Sequence, residues 1–149
     1  MRTLGNILWH FPFLGFVSAF FTFLAGLFLT ITIVAAPIGL GLIEYAKFLM
    51  LPFSSVMVSK KALNQKQNII WRSYSFLVRI FYFPIGLIMS IIVIFQILGL
   101  CISIIGIPQA IILAKSLSTY YNPVNKVCIS VDHSNYLANE RARRKYERR

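Results

Sequence analysis

The chain has 149 residues, 58% hydrophobic and only 13% charged, and its 15 Lys and Arg outweigh 4 Asp and Glu to give a net charge of +11. That balance is far more apolar than an ordinary soluble domain and excludes water as the main solvent of the fold. Two cysteines far apart, two histidines outside any zinc-type spacing, no glycine-rich phosphate loop and no nucleophile elbow argue against a disulfide, a metal, a cofactor or an enzyme.

In chain order, residues 11–43 carry no charge for 33 positions, and residues 80–114 carry none for 35. A run of about 18 already suggests a membrane-crossing helix. The first run outlasts the apolar core of a signal peptide and ends at no small-residue cleavage site, so the N-terminus is expected to be retained. Residues 7–51 would measure roughly 68 Å as one helix, about twice the ~30 Å hydrocarbon core, and residues 76–121 repeat the sum. Each stretch therefore predicts a hairpin.

The polar flanks set the sidedness. Residues 59–79 carry Lys60, Lys61, Lys66, Arg72 and Arg79 and no acid, and the tail adds Lys126, Arg141, Arg143, Arg144, Lys145, Arg148 and Arg149. Basic flanks stay in the cytoplasm, so both termini and the middle segment are expected inside, with an even number of crossings per half. The predicted fold class is all-α: a polytopic membrane protein of two repeated helical hairpins, about four transmembrane helices in all.

The two halves also resemble each other. At a shift of 71, Gly15 meets Gly86, Ile31 meets Ile102, Ile33 meets Ile104, Pro37 meets Pro108, Leu42 meets Leu113, Pro52 meets Pro123 and Val56 meets Val127. With one residue skipped, Phe11-Pro12 meets Phe83-Pro84. Such a repeat governs the whole reading. It divides the chain into a first unit at 6–58, a basic linker at 59–76, a second unit at 77–129 and a basic tail at 130–149.

Gly26 and Gly99 are the favoured places for the hairpins to turn, with Pro37, Pro52, Pro108 and Pro123 read as kinks. A turn at Pro37 would leave a return helix of only 14 residues, roughly 21 Å, a half-helix or re-entrant segment. Aromatic clusters around Trp9 and around Trp71, Tyr74 and Phe76 read as interfacial belts.

Asn6-Ile7-Leu8-Trp9, Gly15, Ile31-Thr32-Ile33, Pro37-Ile38-Gly39, Lys47 and Pro52-Phe53 together resemble the repeat of the YccF family, the bacterial inner membrane component domain. The run from Cys101 to Pro108, Lys115 and Pro123-Val124 resembles a second copy, with Val78 to Phe81 where the first has Asn6 to Trp9. The resemblance implies a small protein of the bacterial inner membrane with the domain in two copies. It implies no reaction and no substrate.

Few residues offer chemistry. Glu44 and Lys47 can pair across one helical turn, and Lys115 stands where Glu44 stands in the other half. Each lies eight residues before a proline, near enough to the edge to snorkel, so the plain reading is a paired or interfacial group. The sharper reading has Glu44 and Lys115 meeting as a polar gate or ion-binding point. Gln96 and Gln109 sit inside the second apolar run, where helix-to-helix hydrogen bonding would satisfy them. Residues 135–149 read as a polar helix.

Lys60, Lys61, Arg141, Arg143, Arg144 and Lys145 suit anionic headgroups, each near-surface cation contributing roughly 1 kcal/mol. A membrane protein partner ranks second for this patch and nucleic acid a distant third. The expected function is a non-enzymatic inner membrane component or accessory subunit. The alternative is a homo-oligomeric channel or transporter lined by Glu44, Lys47, Gln96 and Gln109.

Overall fold

The computed structural model describes residues 2–11, 13–63 and 68–147. Pro12, Lys66, Arg148 and Arg149, which the sequence reading used, lie outside the described residues. Six helices and two strands follow one another: α1 (Arg2–His10), α2 (Gly15–Ile31), α3 (Ala36–Met50), β1 (Ser55–Ser59), a short 3-10 turn (Lys60–Leu63), α4 (Ile69–Ile102), a second 3-10 turn (Ile104–Gly106), α5 (Ile107–Tyr121), β2 (Lys126–Ser130) and α6 (Val131–Glu147). α3 and α5 are both 15 residues long and begin 71 residues apart, as do β1 and β2.

The chain is mostly helical, but it is not all-α. β1 pairs antiparallel with β2, Ser55 opposite Ser130 and Met57 opposite Cys128. Met57 and Cys128 are themselves 71 residues apart, so the register is symmetric about its central pair. Each strand is a five-residue alternation, SVMVS and KVCIS, too short to stand alone. It forms because the other half supplies the missing backbone partner.

The hairpins turn at the prolines, not at the glycines. Between α2 and α3 the chain reverses over residues 32–35, and between α4 and α5 over residues 103–106. Pro37 and Pro108 lie in the first turns of α3 and α5, where a missing N–H costs nothing, and the helix before each cannot run through its ring. Pro52 and Pro123 follow the ends of those helices and are fully buried. None of the four is a kink within a helix, whereas Pro84 does lie inside α4.

Gly26 is a packing position instead: a Cβ there would stand 2.9 Å from Gly39 O, and one on Gly39 would stand 2.6 Å from Gly26 O. The pair lets α2 and α3 touch along their backbones. Gly99 meets nothing within 4 Å.

Turning at the prolines shortens the return helices. At 1.5 Å per residue, α3 and α5 are each about 22 Å long, short of an untilted crossing of a ~30 Å core. Among the described residues one helix, α4 with 34 residues, is long and apolar enough to cross a membrane, and α1 with α2 passes the same test only as a pair bent by 77°. The four full crossings expected from hydropathy are thus not what the helix lengths provide. Nor do the turns lie side by side. Tyr74, near the start of α4, donates to Ile33 O (2.9 Å) and Val34 O (2.7 Å) of the first turn, while the second turn follows the far end of the same helix.

The packed core sits where the hairpins open, among Trp9, Ala19, Tyr45, Phe48, Leu49 and Ile112. Away from it the helices present bare apolar side chains, with Phe28, Ile31, Ile33, Ile102 and Ile104 all exposed. In water such surface would be a liability, whereas lipid tails are as apolar as the side chains themselves. The linker and tail are shorter and more ordered than sequence suggested: α4 begins at Ile69, inside the expected 59–76 segment, and α6 begins at Val131 rather than Asn135.

Candidate functional site

Polar chemistry concentrates at the base, where α1, the end of α3, both strands and the start of α6 meet. A helix leaves its last four carbonyls without partners, and apolar surroundings make that costly. α1 supplies the partners for α3. Trp9 Nε1 donates to Leu49 O (2.8 Å) and His10 Nε2 to Met50 O (2.9 Å), while Asn6 accepts from Phe53 N (3.0 Å) and donates to Ser54 Oγ (3.0 Å). The indole lies so close to Gly15 that a Cβ there would stand 2.0 Å from Nε1. Asn6, Trp9 and Gly15 therefore form one clamp.

The second half solves the same problem differently. Tyr82 Oη donates to Tyr120 O (3.2 Å), the carbonyl 71 residues after Leu49 O, and a Cβ on Gly86 would stand 2.9 Å from the Tyr82 ring and 2.2 Å from Tyr121 O. A tyrosine takes the tryptophan's place.

Glu44 and Lys115 do not meet. Each reaches into the opposite half. Glu44 Oε2 accepts the N–H of Cys128 on β2 (3.0 Å), and its other oxygen pairs with Lys47. Lys115 Nζ donates to Pro52 O (3.0 Å) and lies 5.7 Å from the centre of the Phe53 ring. These are crossed ties between the two halves, and the gate that a direct pair would have made is not formed. Gln96 is exposed and Gln109 half-buried, and among the described residues neither has a hydrogen-bond partner.

The remaining cations ring this base. Lys60 and Lys61 lie in the 3-10 turn directly after β1. Arg141, Arg143, Arg144 and Lys145 are exposed on α6, Arg144 lying 3.9 Å from Glu140. Arg2 contacts both oxygens of Asp132 at 2.8 and 2.9 Å, joining the first helix to the last. Lys126, half-buried at the start of β2, donates to Ser118 Oγ (2.9 Å). Burial, and after it the positive charge of Arg79, pull its ammonium below the ordinary lysine range.

Lys60 and Lys126 stand at a cleft of about 100 Å³ whose apolar wall is Leu40 and Ile43 of α3 and whose further side is Trp71 of α4. The sequence reading placed Trp71 in an aromatic belt and Lys126 in the tail without joining them. Only the pairing of β1 with β2 brings Lys126 beside the segment that holds Lys60.

Residues 4–55 match the family model YccF, described as an inner membrane component domain. The match covers roughly a third of the chain, in one copy, and contains the whole Asn6–Trp9–Gly15 clamp and Glu44. It supports a membrane protein, located in the inner membrane. No curated protein and no solved structure matches the chain.

Proposed function

We propose that the chain is a small, non-enzymatic inner membrane component, a helical scaffold or accessory subunit whose basic base contacts anionic lipid and a membrane partner. In this reading the second half is a diverged second copy of the domain matched by residues 4–55. The N-terminal helix, the linker and the tail all face the cytoplasm.

The observation that carries this reading is the convergence at the base. Arg2 reaches Asp132, Asn6 reaches Ser54, Lys60 N donates to Asn125 O (2.9 Å) and Val131 N to Ser54 O (3.0 Å). Segments so joined share one side of a bilayer, so each hairpin leaves the base and comes back to it. The polar groups inside it close backbone ends and tie the halves together, and the cations left over face outward toward the leaflet where positive charge is retained.

Single cysteines at Ser59 and Ser130, in a background lacking Cys101 and Cys128, test the sidedness. Both should react with an impermeant maleimide in inverted vesicles and neither in intact spheroplasts. Labelling of either from outside overturns the arrangement. Purified protein in liposomes is expected to pass no ions, whereas flux through a ring of subunits with Gln96 and Gln109 on its axis would replace the scaffold with a pore.

A further inference from the structure

We propose that the cleft between α3, the start of β2 and the first turn of α4 is a binding site for the phosphodiester headgroup of an anionic phospholipid, held by Lys60 and Lys126. This rests on the reading that the base faces an anionic leaflet, and it assigns one place on the base to the contact.

The cleft has the two faces such a ligand needs. Leu40 and Ile43 offer an apolar wall to the glycerol and first acyl carbons, and Trp71 stands at the rim, where an amphipathic ring suits the headgroup level. Across from them lie the two ammonium groups.

The local charge is also unbalanced. Glu44 borders the cleft, but one of its oxygens is paired with Lys47 and the other accepts from the Cys128 N–H. Its charge is therefore already compensated. Lys126 uses one of its three donors on Ser118, leaving two. Among the described residues neither Lys60 nor Arg79 has an acidic partner. Lys126 is thus partly desolvated beside another cation, a cost that a bound anion relieves. The tail cations are different: they are fully in solvent, where attraction to a leaflet is diffuse and screened.

The full chain in detergent is titrated with dioctanoyl phosphatidylglycerol, dioctanoyl phosphatidylcholine and inorganic phosphate, read by tryptophan fluorescence and by lipid retained in native mass spectrometry. Phosphatidylglycerol should bind best and shift the fluorescence. The double variant Lys60→Gln/Lys126→Gln should bind it about tenfold more weakly, since two near-surface cations are removed. Arg143→Gln/Arg144→Gln/Lys145→Gln should leave binding within twofold.

The cleft assignment is overturned if the double variant binds as the unaltered protein does, or if the tail variant loses binding instead. Inorganic phosphate binding as tightly as the lipid would overturn the lipid assignment. The basic-face reading itself fails if the unaltered protein shows no preference for phosphatidylglycerol over phosphatidylcholine. That outcome is distinct from preference surviving the cleft substitutions.

Discussion

The two halves meet one physical requirement with different architecture. In the first, the lead helix α1 breaks away from α2 at 77°, through Leu14 in a left-handed conformation, and folds back to clamp the end of α3 with Asn6, Trp9 and His10. In the second, the stretch at the same place runs unbroken into α4, with Pro84 inside the helix, and only Tyr82 closes a carbonyl at the end of α5. The comparison teaches that the constant element is the need to close the return helix where it leaves the apolar layer. The side chain that does so is interchangeable, provided that a glycine, Gly15 or Gly86, makes room for it.

The largest effect should separate the two clamps. Trp9 is buried in the core and its removal leaves both a cavity and an open carbonyl, so Trp9→Ala is expected to cost about 3–5 kcal/mol. Tyr82→Phe keeps the ring and loses one hydrogen bond, about 1 kcal/mol. Thermal unfolding in detergent, followed by circular dichroism, measures both, and equal losses would mean that the clamps are not of different kinds.

Glycine substitutions sharpen the point. A Cβ on Gly41 would stand 2.0 Å from Pro123 O, so Gly41→Ala pushes the first hairpin off the second half's loop, and Gly15→Ala drives into the indole. Each should cost about 1–3 kcal/mol by overpacking. Gly99→Ala meets nothing and should stabilise α4 by up to about 1 kcal/mol. Unfolding midpoints falling in any other order would undo the packing argument.

The turns differ as well. Ile33 has φ 58°, strained for a β-branched residue, whereas Ile104, its partner at the 71-residue shift, has no positive φ. Ile33→Gly is expected to gain about 1 kcal/mol and Ile104→Gly to gain nothing, by the same measurement. A gain at Ile104 alone would reverse the assignment of strain.

The smallest effect concerns the central strand pair. Burial pushes the Cys128 thiol up, so less of it is thiolate at neutral pH. In a Cys101→Ser background its alkylation should be slow near pH 7 and should keep accelerating at pH values where an ordinary thiol has levelled off. A rate that levels off in the ordinary range would show Cys128 outside the sheet.

Much of this was legible in the sequence, and unevenly. The spacing of Pro37 and Pro52 against Pro108 and Pro123 announced a 71-residue period, and α3, α5, β1 and β2 keep it. Glu44 and Lys115 stood out as charges near apolar runs, but their partners did not: Cys128 N and Pro52 O are backbone atoms 84 and 63 residues away, and a backbone atom leaves no mark in composition. The turns were misplaced because Gly26 and Gly99 look alike as isolated letters. One is a contact between helices and the other meets nothing, and only the neighbouring helix distinguishes them.

The sequence by itself determined the solvent, the helical periodicity, the sign of the charge on the flanks and the places where proline must end a helix. All of these follow from properties that each residue carries with it. The tertiary structure alone decided that SVMVS and KVCIS are strands, that α1 folds back on α3 while α4 runs on, and that Lys60 and Lys126 share a cleft. Those outcomes depend on which distant backbone groups come within hydrogen-bonding reach, and in an apolar solvent every such group must find a partner somewhere along the folded chain.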